Sequence, residues 1–175
     1  PAVLKILRNG ADEITENRAV SANVDSFVVQ LADTFSQVDV PASSVTLYKT
    51  GVIITASQAT SGDSLILAIT NALDSTSEEG FYQVQVQRKD KVGNVGTVIR
   101  NFTFDKTAPI TSITYPEITG KIFNTSVSIA GAYTELFSGI DTVQVGVDTG
   151  YGYVFYNATL QTSSKEWSFL LNFPA

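Results

Sequence analysis

Residues Gly80–Pro109 read GFYQVQVQRKDKVGNVGTVIRNFTFDKTAP and decide the fold that we expect for the whole chain. Near the start of this stretch apolar residues alternate with glutamines, and the apolar set is Tyr82, Val84 and Val86. An alternation of period two places one set on each face of a β-strand. The polar run Asp90–Asn94 follows, and its Gly93 and Asn94 can take the positive φ that a hairpin turn needs. The stretch therefore predicts a β-hairpin with one buried face.

The second strand of this hairpin is expected from about residue 96 to 105, with Phe102 and Phe104 on its buried face. Its alternation is imperfect, because Val98 and Arg100 fall on the same face as the two phenylalanines. We expect either a β-bulge here or a position of Arg100 near the rim of the sheet. A proline then ends the hairpin, since proline cannot donate to a ladder of hydrogen bonds.

The hairpin resembles the last two strands of bacterial immunoglobulin-like and fibronectin-III-like repeat domains. An aromatic-started strand, a D-x-x-G-N turn and a closing F-x-F-D-x-T-A-P run carry the resemblance, and they correspond here to Phe81–Val86, Asp90–Asn94 and Phe102–Pro109. The resemblance implies an all-β fold of tandem immunoglobulin-like β-sandwiches in an extracellular surface protein. Because such sandwiches serve many roles, it implies no particular activity.

Composition and charge exclude several classes of function. Of the 175 residues, 43% are hydrophobic and only 16% are charged, which suits strands and turns better than surface helices. The net charge of −6 and the pI near 4.5 argue against nucleic acid and anionic membrane surfaces as partners, since both attract basic faces. No segment approaches the roughly 18 consecutive apolar residues of a membrane span, so no membrane insertion is expected.

The chain contains no Cys, no Met and no His. Disulfides, thiolate zinc sites and thiol nucleophiles are therefore excluded, and the commonest general base is missing. Exported bacterial and archaeal surface proteins commonly avoid oxidisable side chains, so we expect an extracellular, cell-surface or cell-wall location. The chain starts at Pro1, which we interpret as a cut end.

Residues 1–106 are expected to form one immunoglobulin-like β-sandwich, because strand patterns alternate with turn signals every 8–12 residues. The expected strands are Pro1–Arg8, Ser26–Leu31, Val45–Tyr48, Val52–Ala56, Ser64–Thr70 and the two strands of the hairpin. The segments Asp12–Asn23 and Asn71–Gly80 are polar and are expected to be loops. Nothing apolar surrounds the carboxylates of Asp12, Glu13 and Glu16 in the sequence, so we expect solvated side chains rather than catalysts.

Residues 107–175 are expected to form a second immunoglobulin-like sandwich that lacks its last two strands. The expected strands are Ile110–Tyr115, Ser126–Ala132, Asp141–Asp148, Tyr153–Ala158 and a last strand with Trp167, Phe169, Leu171 and Phe173 on one face. No second D-x-x-G-N motif follows Trp167, which indicates that the closing hairpin is missing. Either the chain is a fragment of a longer array, or another chain donates strands to the open edge.

A calcium site is one candidate binding site. Asp90, Asn94 and Asp105 offer oxygen ligands near the expected domain junction, and calcium takes six to eight oxygens. The alternative is that Asp90 and Asn94 bond the backbone of a turn while Asp105 ends a strand.

An aromatic surface is the second candidate. Tyr151, Tyr153 and Tyr156 crowd the glycine-containing turn of the second unit together with Phe155. Exposed tyrosines can stack on sugar rings or anchor a partner protein. The alternative is that Phe155 packs into the core or the sheet edge while the tyrosines decorate a hairpin.

The sequence favours a non-catalytic structural or adhesive module of a secreted or cell-surface protein: a stalk, an adhesin segment or a surface-layer subunit. The expected partners are neighbouring modules or other surface proteins, and calcium is the one candidate cofactor. The alternative is an accessory carbohydrate-binding or spacer module of a secreted polysaccharide-degrading enzyme. A hydrolase would need two carboxylates about 5–10 Å apart in a cleft, whereas the acidic residues here lie in loops and turns.

Overall fold

The computed structural model describes residues 1–74, 76–117 and 125–173, and its secondary structure there is β-strand, turn and loop. The chain divides into two compact units, Pro1–Lys106 (unit 1) and Thr107–Ala175 (unit 2). The division falls where the sequence places the boundary between two domains. The expected all-β fold is confirmed, because these residues form strands, turns and loops. The described residues contain no apolar helix of membrane-spanning length.

Unit 1 contains ten strands within its described residues: β1 (Ala2–Arg8), β2 (Asp12–Glu13), β3 (Arg18–Val20), β4 (Val24–Ala32), β5 (Ser44–Lys49), β6 (Val52–Ile53), β7 (Ala56–Ser61), β8 (Ser64–Leu73), β9 (Gly80–Lys89) and β10 (Val95–Phe104). One sheet has the order β2-β1-β4-β8-β7, and the other has the order β3-β10-β9-β5-β6. Neighbouring strands are antiparallel except β3 and β10, which run parallel.

Alternating side chains from both sheets of unit 1 meet in one hydrophobic core. Phe27 and Val29 of β4 enter it from the first sheet, and Val84 of β9 and Phe102 of β10 enter it from the second. The rings of Phe27 and Phe102 lie with their centroids 5.7 Å apart. The period-two alternation of the hairpin and of β4 therefore predicts the buried face correctly.

The expected bulge in β10 is wrong. The register of β9 and β10 is continuous from Val95 opposite Lys89 to Phe104 opposite Gly80. Arg100 is half-buried and lies in the part of β10 that forms the edge of the sheet, because β3 pairs only with residues 102–104. The alternative expectation, that Arg100 lies near the rim of the sheet, is confirmed.

Three segments of unit 1 are more ordered than the sequence suggests. The expected loop Asp12–Asn23 contains β2 and β3 and buries Ile14 and Val20. Strand β7 was not expected, because its sequence ASQATS lacks bulky apolar residues and lies at a sheet edge. Strand β8 continues to Leu73, which is buried, so residues 71–73 of the expected loop belong to a strand.

Unit 2 contains six strands within its described residues: β11 (Ile110–Tyr115), β12 (Ser126–Thr134), β13 (Gln144–Asp148), β14 (Tyr153–Asn157), β15 (Thr159–Gln161) and β16 (Glu166–Asn172). One sheet has the order β11-β12-β16-β15, and β13 pairs with β14 alone. The short strand β15 was not expected. The small core comprises Tyr133, Val143, Val145 and Trp167. Val147 packs at the margin of this core.

The strands of unit 2 repeat the order of part of unit 1. In both units the first sheet pairs four strands in the same sequence order, β1-β4-β8-β7 in unit 1 and β11-β12-β16-β15 in unit 2. In both, a short hairpin, β5–β6 or β13–β14, stands between the second and third of these strands along the chain. Among the described residues of unit 2, no strands correspond to β9 and β10.

Candidate functional site

The carboxylate of Asp90 organises the turn between β9 and β10. Asp90 is buried and only 2% exposed. The Oδ1 atom accepts hydrogen bonds from the backbone N–H of Val92 at 3.1 Å and of Asn94 at 2.7 Å. The Oδ2 atom accepts from the Asn94 side chain and from the Ser36 hydroxyl, each at 2.7 Å. Asp90 therefore satisfies the backbone of the turn, as the alternative to a calcium site requires.

The same turn fastens the loop 33–43 to the hairpin. Ser36 reaches Asp90 from this loop, and the backbone N–H of Lys91 donates to the carbonyl of Gln37 at 3.1 Å. Burial alone would raise the pKa of Asp90, but hydrogen bonds from Ser36, Asn94 and the backbone outweigh it, so the pKa lies below its usual value. The role of Ser36 was missed, because 54 residues separate it from Asp90 and no local pattern links them.

Asp105 lies at the other end of the hairpin, immediately after Phe104, which pairs with Gly80. Ten paired residues at about 3.3 Å each separate it from Asp90 by roughly 30 Å. Asp105 is buried, and its backbone N–H donates to the carbonyl of Val20 at 3.0 Å. The expected calcium ligands Asp90, Asn94 and Asp105 are therefore wrong as one set, because a strand length separates them. Among the described residues, no three Asp or Glu side chains cluster closely enough to hold a metal ion.

The acidic residues near the N-terminus are engaged in pairs. Asp12 forms an ion pair with Arg8, and Glu13 lies beside it in β2. Glu16 accepts hydrogen bonds from the backbone N–H of Asn101 at 3.2 Å and from its side-chain amide at 2.7 Å. These contacts join the segment to β1 and β10, so the carboxylates of Asp12 and Glu16 have structural partners.

An exposed aromatic pair lies on one face of the β13–β14 hairpin. Tyr153 and Phe155 are 67% and 63% exposed, and their ring centroids lie 6.3 Å apart. Gly146 stands opposite Phe155, and a Cβ built on it would lie 3.0 Å from the Phe155 ring and 3.4 Å from the Tyr153 ring. The two rings therefore cover the backbone of Gly146, which leaves them room because it carries no side chain.

Polar groups flank this aromatic pair on the same face. Gln144 stands opposite Asn157, and its side-chain amide donates to the side-chain oxygen Oδ1 of Asn157 at 3.3 Å. At the other end Asp148 stands opposite Tyr153 and accepts a hydrogen bond from the backbone N–H of Gly150 at 2.8 Å. We call the exposed face formed by Gln144, Gly146, Asp148, Tyr153, Phe155 and Asn157 the aromatic face.

The expected tyrosine set is partly wrong. Tyr156 lies on the opposite face of β14 from Tyr153 and stacks on Phe169, with ring centroids 5.1 Å apart. Tyr151 is fully exposed in the turn between β13 and β14. Phe155, not Tyr156, shares the surface with Tyr153. Of the two places that the alternative gave for Phe155, the core is wrong, because its ring is 63% exposed on the two-stranded hairpin. Strand alternation could have found this, because 153 and 155 have the same parity.

No protein-family model and no curated protein matches the chain. Among solved structures, the crystal structure of CopC from Methylosinus trichosporium OB3b is similar, with 14% sequence identity and a TM-score of 0.45. The match covers 59% of this chain and 91% of that one. A similarity of this size supports no argument about function.

Proposed function

We propose that this chain is a non-catalytic, load-bearing segment of a secreted or cell-surface protein, built of tandem immunoglobulin-like β-sandwich units. The observation that carries the proposal is the path of the chain through unit 1, which enters at one end of the sheets and leaves at the other. A module of this kind can be connected end to end, as a stalk, an adhesin segment or a surface-layer subunit requires.

The two ends of unit 1 are identified by hydrogen bonds. The Arg88 side chain, at the turn end of the β9–β10 hairpin, donates to the carbonyl of Pro1 at 2.5 Å. At the opposite end, the backbone N–H of Lys106 donates to the carboxylate of Glu79 at 2.8 Å, and Glu79 is the residue before β9. The hairpin between them spans about 30 Å. The chain therefore crosses the full length of unit 1.

Tension between these ends would load strands along their axes. Strand β1 pairs antiparallel with β4. Strand β3 pairs parallel with the last residues of β10, so that Arg18 stands opposite Phe102, Ala19 opposite Thr103 and Val20 opposite Phe104. Pulling β3 and β10 from the two ends of the unit slides them past each other. Hydrogen bonds loaded in this direction must break together rather than one after another, which raises the force needed for unfolding.

The proposed extracellular location is supported by the residue content. The chain has no Cys and no Met, so it carries no thiol or thioether to oxidise. Its net charge of −6 disfavours nucleic acid and anionic lipid as partners. Neighbouring modules or other surface proteins are the partners that this role implies.

Single-molecule pulling on the full chain tests the proposal. Val20→Pro should lower the unfolding force of unit 1 clearly, because the Val20 carbonyl accepts from the N–H of Asp105, so the Val20 N–H also faces β10, and proline cannot donate there. Ala59→Pro in the edge strand β7 is the matched control, since β7 pairs only with β8 and lies outside the loaded pairs. An equal loss of force in both variants, or a wild-type unit 1 that yields without a resolvable force peak, would refute the load-bearing role.

The aromatic face supports a second candidate function, an accessory carbohydrate-binding module. Two exposed rings flanked by amides and a carboxylate offer stacking surfaces and hydrogen-bonding groups for a sugar chain. Co-sedimentation with insoluble cellulose, chitin and xylan tests this candidate. Tyr153→Ala and Phe155→Ala should each abolish retention, whereas Phe35→Ala, which removes a 96% exposed ring from unit 1, should not. Retention that survives both unit 2 variants would exclude the aromatic face.

A further inference from the structure

A cleft opens in unit 2 between the edge strand β11 and the hairpin strand β13. Its volume is about 270 Å³, and its apolar lining is Ile113, Val143, Val145, Gly146 and Trp167. These residues come from both sheets of the unit, so the cleft is a gap between the layers rather than a groove on the outside.

The inner face of β11 lacks the cover that the inner face of β1 has. Ile113 stands opposite Gly131, on the face of the sheet that carries the buried ring of Tyr133, yet Ile113 is 65% exposed. Ile6, in the corresponding strand β1, also faces its core and is 2% exposed. The difference arises because unit 1 has strands β9 and β10 in its second sheet and the described part of unit 2 has no counterpart.

The backbone of β13 has one paired edge and one edge free of described partners. The N–H of Ala158 donates to the carbonyl of Val143, and the N–H of Thr149 donates to the carbonyl of Gly152, so the odd-numbered residues face β14. Antiparallel ladders alternate, and the N–H and C=O groups of Gln144, Gly146 and Asp148 therefore point to the free edge. In unit 1 the corresponding edge of β5 pairs with β9, where Ser44 stands opposite Gln87.

A buried donor lies in the same cleft. Trp167 is 4% exposed, and its indole N–H has no hydrogen-bond acceptor among the described residues. A buried N–H without an acceptor is costly, and such groups usually have a partner in the native assembly. The unpaired indole N–H of Trp167, beside a free strand edge, independently indicates that a further group with a hydrogen-bond acceptor occupies this cleft.

We propose that the cleft accepts a protein β-strand from a neighbouring module, which pairs antiparallel with the free edge of β13. The position that β9 holds in unit 1 argues for this occupant. Alternate apolar residues of the incoming strand, like Tyr82, Val84 and Val86 of β9, enter the cleft beside Ile113 and Trp167. The backbone of the strand pairs with Gln144, Gly146 and Asp148. That the strand comes from a neighbouring module rests on the proposed function, in which modules are connected end to end.

A peptide titration tests strand capture, with the full chain and a synthetic peptide of the sequence GFYQVQVQRK, residues 80–89. Trp167 is the only tryptophan of the chain and the peptide has none, so tryptophan fluorescence reports occupation of the cleft directly. A saturable change is expected. Ile113→Asp should weaken binding by about tenfold or more, because it places a charge against the apolar strand. Ile110→Asp, in the same strand but on the other face and 68% exposed, should change it less than about twofold.

A second peptide keeps the test independent of variant folding. The same peptide with Val84→Asp and Val86→Asp should lose binding to the unaltered chain. No fluorescence change with the first peptide, or equal binding of both peptides, would overturn the proposal. So would a dimer of the chain that Ile113→Asp dissociates and the peptide does not, because a second copy would then be the occupant. The pulling experiment on unit 1 does not involve this cleft, so failure of one leaves the other intact.

Discussion

Unit 1 and unit 2 share a strand order but bury very different amounts of apolar surface. In unit 1 two five-stranded sheets enclose Phe27, Phe102 and Phe104, each almost inaccessible to solvent. In unit 2 a four-stranded sheet faces a two-stranded hairpin, and every residue of β11 is exposed. The two isoleucines Ile6 and Ile113 occupy corresponding strands with opposite environments. A strand pattern thus fixes which residues face inward, whereas the opposite sheet decides whether they are buried.

The largest expected effect concerns the core of unit 1. Phe102→Ala removes a ring that packs against Phe27 and Tyr82, so it should lower the free energy of unfolding by about 3–5 kcal/mol. Phe155→Ala deletes the same side chain from the exposed face of unit 2 and should change the free energy by less than about 0.5 kcal/mol. Urea denaturation measures both values, and similar losses would break the contrast between the units.

The next effect concerns the close packing that unit 2 does have. A Cβ on Gly131 would lie 2.0 Å from the Ser112 carbonyl oxygen and 2.3 Å from the Trp167 ring. Gly131→Ala should therefore destabilise unit 2 by about 1–3 kcal/mol, read from tryptophan fluorescence during thermal unfolding. Gly146→Ala is the control, because its Cβ meets the exposed ring of Phe155, which is able to move. An unchanged transition in Gly131→Ala would show that the small core repacks freely.

A pH-dependent effect should separate the units further. The pKa of Asp90 is lowered in the folded state, so its ionised form stabilises unit 1 above its unfolded pKa of about 4. This contribution is lost as the pH falls through the lower folded pKa. Asp90→Asn should lower the melting temperature at pH 7 by roughly 5 °C, because the amide NH₂ faces the donors of Ser36 or Asn94. It should also flatten the acid dependence of unit 1.

Asp25→Asn is the matched control for that experiment, since Asp25 is exposed in β4. Melting temperatures of wild type and both variants from pH 7 to pH 3 measure the difference. If Asp90→Asn retained the acid slope of the wild type while Asp25→Asn lost it, the assignment to Asp90 would be wrong.

The smallest effect compares the two isoleucines directly. Ile6→Val should cost about 1 kcal/mol, because the deleted methylene leaves a gap in a closed core. Ile113→Val should cost close to nothing in the isolated chain, since its side chain is mostly in water. Chemical denaturation of both variants provides the test. Equal costs would mean that the inner face of β11 is covered in solution.

Local pattern predicted the hairpin β9–β10 well, because alternation and turn residues act over neighbouring positions. The same local argument gave a turn role for Asp90 and Asn94 as the alternative to calcium, and Asp90 does bond the backbone of the turn, whereas the side chain of Asn94 bonds Asp90 instead. The bulge at Val98 and Arg100 was an error, since imperfect alternation here reflects the sheet edge and not an extra residue. Tyr156 was assigned to the same surface as Tyr153 because the two are close in sequence, although strand alternation places them on opposite faces of β14.

The amino-acid order alone determined the strand class, the division near Lys106 and the inward faces, because side-chain alternation and turn chemistry are local properties of the backbone. Only the tertiary structure decided the partnership of Ser36 with Asp90, the separation of Asp105 from both and the exposure of Ile113. Each of these depends on which distant strands meet, and that choice is made by packing across the whole unit. The short strands β2, β3 and β7 belong to the same group, since their pairing partners stabilise them more than their own residues do.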